Sequence, residues 1–354
     1  MRIEQLTFTR FIAAMAIVFF HFGKPLNIFS QPVVHQLLIQ ANIGVSYFFI
    51  LSGFVMIIAY GRKSSVHPVS YLKNRVARIY PVYLLAILLS LVYRYFFEHT
   101  ETPAEDIILN ITALQSWIPA KAMTINFPGW SLSVEFLFYA VFPFLCNRIY
   151  QRFTVKKLIL PIFIFWICSQ LFFIVSQNSS FSIGTETETH NFLYYFPLMH
   201  LSQFVMGNLA GLLFIRYFWN KEKKVDFAII GIGILIALSI LYRPENVSYH
   251  NGLLAVLFVP LIMLIAVNSG FLTKIFNWKP FIYLGEISYG IYILQVPAYW
   301  FTSYLMIQYL GLDGKLQIFT ATIVNLLILS ALSYRYIETP LREKIKKTRI
   351  NIKP

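Results

Sequence analysis

The chain reads as an all-α polytopic membrane protein, a bundle of about ten transmembrane helices. Of its 354 residues 58% are hydrophobic and only 12% are charged, and the mean hydropathy is +0.64. Soluble domains are roughly half apolar and about 25% charged. At about 20 residues per crossing, apolar runs lie at 6–23, 40–60, 80–97, 129–146, 157–176, 192–217, 226–242, 250–268, 281–308 and 316–337. The first run holds Thr7 and Arg10, has no small-residue cleavage site behind it and precedes many similar runs, so it is expected to be retained and not cleaved as a signal peptide.

An even number of spans puts both termini on one side of the membrane. That side carries 23 of the 29 Lys and Arg residues; the other holds Lys24, Arg94, Lys121, Arg243 and Lys315, and Arg10 lies within the first span. Basic loops stay inside, so both termini are expected in the cytoplasm of a bacterial cell, with the chain in the cytoplasmic (inner) membrane. The net charge of +14 is then a lining next to anionic lipid, and no nucleic-acid partner is needed to explain it. Residues 1–340 read as one transmembrane domain and 341–354 as a basic cytoplasmic tail. Residues 98–128 form the longest outer loop, with an amphipathic patch at Ile107–Trp117 suited to a surface lid or collar, and residues 177–191 read as a mobile outer loop. Cys146 and Cys168 lie in apolar runs and read as reduced packing residues.

The first span, LTFTRFIAAMAIVFFHFG, contains two ionisable residues. Arg10 and His21 are eleven apart, so on a helix they share a face to within about 20° and are about 16 Å apart along it. A buried Arg costs about 2.5–3.5 kcal/mol on insertion scales unless it faces protein or a watery cavity. A stripe carrying both residues therefore points to function, although snorkelling and capping account for either one alone.

Other polar groups fall in or beside later spans. Asn42, Gly44, Ser46, Ser52 and Gly53 in the second suit close helix packing. Arg75 and Arg78, in KNRVARIYP at the cytoplasmic entry to the third, are three apart and share a face. Paired guanidiniums are forked donors for phosphate oxygens, so a phosphorylated cytosolic cofactor suits them as well as a positive-inside anchor does. Glu135, in NFPGWSLSVEFLFYAVFP, is an acid within the fourth span at about the depth His21 reaches, and a His–carboxylate pair satisfies both. Trp130, Ser131 and Ser133 accompany it, and the ninth span adds Glu286, Ser288, Tyr289, Tyr292 and Gln295. No span places two His, or a His and a carboxylate, four apart, so no metal site is expected.

Taken in order, the Arg10/His21 stripe, GVSYFFILSGF at 44–54, Arg75-x-x-Arg78 before IYP, WSLSVE at 130–135, ISYGIYILQVP at 287–297 and YIETPLR at 336–342 resemble the acyltransferase-3 family, membrane acyltransferases that O-acetylate bacterial surface glycans. The resemblance implies that His21 is the essential catalytic residue, that Arg10, Arg75 and Arg78 hold an acyl-CoA donor, and that Glu135 is required. It departs at Gln295, where the family often has a His; Gln cannot titrate, which leaves a hydrogen-bonding role.

These readings combine in one expectation. Acetyl-CoA docks its phosphates on Arg75, Arg78 and Arg10, with no metal. His21, with Arg10 and Glu135, serves transfer to a hydroxyl of a cell-surface or lipid-linked glycan as base or as acyl acceptor. Trp130, Ser131, Ser133, Tyr289 and Gln295 contact substrate. Some relatives carry a fused extracytoplasmic esterase-like domain; none is seen here, so such a module is expected in a separate partner protein, if one is needed. Two rival readings use the same residues: a transporter or glycan flippase, with Arg10, His21 and Glu135 as a substrate or proton pathway, and a scaffold in which they only satisfy one another.

Overall fold

A computed structural model describes residues 3–179 and 187–348. Residues 180–186, within the expected outer loop, and 349–354, the end of the expected tail, lie outside the described residues. The helices are α1 (Gln5–Phe22), α2 (Pro32–Ile39), α3 (Ile43–Tyr60), α4 (Pro68–Phe96), α5 (Ala104–Ile111), α6 (Trp130–Phe144), α7 (Val155–Gln177), α8 (Glu188–Tyr195), α9 (Leu201–Tyr217), α10 (Asp226–Leu241), α11 (Ala255–Val267), α12 (Phe271–Phe276), α13 (Lys279–Leu310), α14 (Lys315–Ser333) and α15 (Thr339–Lys347). Among the described residues no β-strand forms; Lys223 and Asn268 make an isolated bridge.

The protein is an all-α, multi-pass membrane protein. Seven segments among the described residues are long and apolar enough to cross a membrane, α10 and α11 are shorter apolar helices, and α13 runs for 32 residues. Each of the ten expected runs coincides with helix. Leu160 and Val175 on α7, Phe227 and Leu235 on α10 and Ile328 on α14 are exposed, as lipid-facing side chains are.

Small residues set the closest contacts. At the α3/α9 crossing, a Cβ on Gly207 would lie 1.9 Å from the Ile50 carbonyl oxygen, and one on Gly53 would lie 2.2 Å from that of Phe204. The expected close approach at Gly53 is therefore met by a reciprocal glycine. Gly285 of α13 likewise lies against the backbone of Thr7 in α1. Higher up, His21 meets Gln295, so α1 and α13 run in the same direction and His21 reaches the middle of α13.

Three boundaries differ from expectation. α4 begins at Pro68, before the apolar run, and passes through Pro81, so Arg75 and Arg78 share one continuous helix with that run. The sixth run breaks at Phe196, followed by a 3₁₀ turn over Pro197–His200, because Pro197 has no N–H with which to continue α8. α5 and the segment after it are tied to the bundle on one side, while Ile108, Ile111 and Leu114 stay exposed on the other. The Tyr83 hydroxyl, midway along α4, donates to the Asn110 carbonyl at 2.7 Å, and Gln115 donates to the Gly129 carbonyl at 2.9 Å. Residues 104–129 thus form a collar folded into the bundle. At its outer edge Lys121 contacts Asp106 at 2.7 Å and Glu105 at 3.3 Å, and these bonds, Asp106 first, hold its ammonium above the usual lysine range.

Candidate active site

α1, α3, α4, α6, α13, the π-helical turn at 334–338 and α15 enclose a cavity of about 470 Å³. It reaches from Ile3 and Lys346, near the two ends of the chain, and Asn74 of α4 to Ser131 and Tyr292. Arg10 enters from α1, Arg75 and Arg78 from α4, Glu135 and Tyr139 from α6, Glu286 and Tyr289 from α13, and Glu338 and Arg342 from the last turns. The predicted Arg10, Arg75, Arg78 and Glu135 thus converge although they belong to three different helices.

The polar balance of this cavity is uneven. Glu338 meets Arg342 at 3.7 Å one turn later, whereas Arg10, Arg75 and Arg78 make no ion pair among the described residues. Arg75 leans on the Met56 sulfur at 3.8 Å, and its buried Nε has no partner. Glu135 accepts from the Tyr139 hydroxyl at 3.1 Å and feels the charges of Arg78 and Arg10. Arg10, Arg75 and Arg78 are partly buried and line the cavity, and forked donors around a cavity suit an oxygen-rich anion.

The expected His21–Glu135 pair does not form. Glu135 projects into the arginine cluster, while His21 sits beyond the far end of the cavity with its Nδ1 2.8 Å from Gln295 Oε1. The Phe127 ring meets the imidazole edge-on, with centroids 4.7 Å apart at 90°. The physical reason is depth: α1 runs beside α13, and the turn it reaches carries Gln295, while Glu135 lies further down α6 at the level of Arg78.

Between the cavity and His21 lies a hydrogen-bonded partition. The Tyr292 hydroxyl donates to Ser131 Oγ at 2.8 Å, and Ser131 donates to the Pro128 carbonyl at 3.0 Å. Gln295 Nε2 donates to the Tyr292 carbonyl at 2.6 Å. The collar is pinned here by a proline: Pro297 cannot donate to the carbonyl four residues back, and Asn126 Nδ2 reaches that Ile293 carbonyl at 3.0 Å. Ile125, just before, takes φ +60°, rare for a β-branched residue.

Of the expected substrate-binding residues, Ser131 and Tyr289 line the cavity, Tyr289 donating to the Ile79 carbonyl at 2.8 Å. Gln295 is on His21. Trp130 is buried among the rings of Phe49, Tyr195, His200 and His250, and Ser133 Oγ is buried 3.5 Å from the Ser116 N–H; neither lines the cavity. Tyr139, Glu338, Asn126 and Phe127 join the site without having been singled out. Glu338 was visible only as an acid in YIETPLR, and the collar residues carried no chemical signal at all.

The acyltransferase-3 family, described as an acyltransferase domain, matches residues 3–334. The chain is similar to O-acetyltransferase OatA of Staphylococcus aureus (strain NCTC 8325 / PS 47), 26% identical over 330 residues covering 85% of this chain and 53% of that protein. It is also similar to acyltransferase MdmB of Streptomyces mycarofaciens, 28% identical over 249 residues covering 65% and 62%. Putative O-acetyltransferase SACOL0978 of Staphylococcus aureus (strain COL) is 25% identical over 368 residues covering 95% and 56%. The match covers 53–62% of the length of these curated relatives. No solved structure matches it. With the match running over nearly its whole length, the chain belongs to the acyltransferase-3 family.

Proposed function

We propose that the protein is a membrane O-acyltransferase that moves an acetyl group from acetyl-CoA to a hydroxyl of a cell-surface or lipid-linked glycan. The observation that carries this reading is the cavity into which Arg10, Arg75 and Arg78 project with no direct ion pair among the described residues, and whose far end, at Tyr292, lies one helical turn from Gln295, the partner of His21. The family membership and the relatives named as O-acetyltransferases support the reaction class. The arginines hold the donor's phosphates, and the pantetheine arm runs toward Tyr292. Glu135 and Glu338 keep the guanidiniums in place and offset their charge. His21 takes the proton of the acceptor hydroxyl as that oxygen attacks the thioester carbonyl; the C–S bond breaks and CoA leaves as the thiol. An acyl-His21 intermediate is the variant in which the imidazole attacks first.

In this reading the terminal ends of the chain, and with them the arginines, face the cytoplasm of the inner membrane, and His21 faces the acceptor side. Membranes containing the protein, given labelled acetyl-CoA and extracted surface glycan, are expected to label the glycan, and membranes with His21→Ala are not. Undiminished labelling by His21→Ala overturns the reading. Glycan movement without release of CoA favours a flippase instead.

A further inference from the structure

We infer that Gln295 is the positioning residue of His21, holding the imidazole with its proton on Nδ1 and its Nε2 lone pair free for the acceptor. The inference rests on the reading of His21 above. The carboxamide has only one workable orientation. One end lies 2.6 Å from the Tyr292 carbonyl, which can only accept, so that end is the NH₂. The other end is then the oxygen, which can only accept, and it lies 2.8 Å from His21 Nδ1. The hydrogen of that bond must come from the imidazole, which in its neutral form leaves Nε2 unprotonated.

The surroundings keep this arrangement in place. Gln295 is fully buried, and its bond to the carbonyl three residues back locks its side chain to α13. Phe127 bears on the imidazole edge-on. Two other interior histidines are arranged differently. His200 and His250 both point Nε2 at the Tyr194 carbonyl, at 2.9 and 2.8 Å, and their Nδ1 atoms face the amides of Gln203 and Asn42. In both of them each ring nitrogen has a hydrogen-bond partner, whereas no described residue occupies His21 Nε2. A Gln does here what a carboxylate does in a Ser-His-Asp triad, selecting tautomer and ring orientation, but without adding a charge.

The test starts with the unaltered protein, with one variant used only for assignment. In ¹⁵N spectra of histidine-labelled full-length protein in lipid, the His21 signals, assigned by their loss in His21→Ala, are expected to report the Nδ1–H tautomer. Gln295→Leu is then expected to populate Nε2–H. It should lower kcat about 100-fold, within the 10²–10⁴ that a positioned base contributes, and leave KM for acetyl-CoA within about twofold. An Nε2–H signal for His21 in the unaltered protein, or a folded Gln295→Leu with unchanged tautomer and kcat, overturns the inference. If His21→Ala itself transfers acetyl normally, the reading of the site falls instead.

Discussion

The Tyr292 hydroxyl donates to Ser131 Oγ at 2.8 Å and thereby closes the cavity one helical turn short of Gln295. On the proposed function this partition parts only when the thioester arm fills it, and otherwise denies water a path from the cavity to His21. Tyr292→Ala is expected to uncouple the reaction: CoA released per acetyl group transferred rises above one, as read by thiol titration alongside label in glycan. An unchanged ratio means that the partition seals nothing.

The arginine cluster predicts a donor-side defect. Arg78→Ala removes a charged donor worth about 1.5–3 kcal/mol, so KM for acetyl-CoA should rise about 10- to 100-fold. Arg78→Lys should not restore it, because a point-charge ammonium cannot reproduce the fork. Equal affinity in all three proteins by calorimetry with CoA contradicts the assignment.

At the α3/α9 crossing, Gly207→Ala puts a methyl 1.9 Å from a backbone oxygen, and neither helix can move without repacking. Overpacking costs typically 1–3 kcal/mol, so thermal unfolding in detergent should shift down by several degrees. Gly231→Ala on α10, where nothing lies within 4 Å, is the control and should not shift down.

Asn126 and Pro297 make a coupled pair. Asn126→Leu orphans the buried Ile293 carbonyl, at about 1–3 kcal/mol. Pro297→Ala restores the helical N–H that this carbonyl lacks, so the Asn126→Leu penalty should shrink in the double variant. Strictly additive unfolding shifts would show that the Asn126 bond does not replace the missing helical one.

Hydropathy made the helices legible because burial in lipid demands it of each segment separately, and helical period placed Arg10 and His21 on one stripe before any neighbour was known. The forked pair Arg75 and Arg78 was legible as chemistry, but the helix that carries it was not legible in full, since α4 absorbs Pro81 and starts twelve residues earlier than the apolar run. The partner of His21 was not legible. Gln295 is 274 residues away, and nothing local distinguishes Glu135 from Gln295 as a neighbour for an imidazole; only the parallel packing of α1 on α13, set by Gly285 against Thr7, decides between them. A collar was legible in the outer loop, but its anchor was hidden for a similar reason: Asn126 is explained by a missing N–H on another helix.

Sidedness tests the central claim most directly. Protein is reconstituted in one orientation in sealed vesicles, with acetyl-CoA, which does not cross the bilayer, on one face and glycan acceptor on the other. The account predicts labelled glycan only when acetyl-CoA is supplied on the face of the arginine cavity and acceptor on the face of His21. Labelling that requires donor and acceptor on the same face would contradict it.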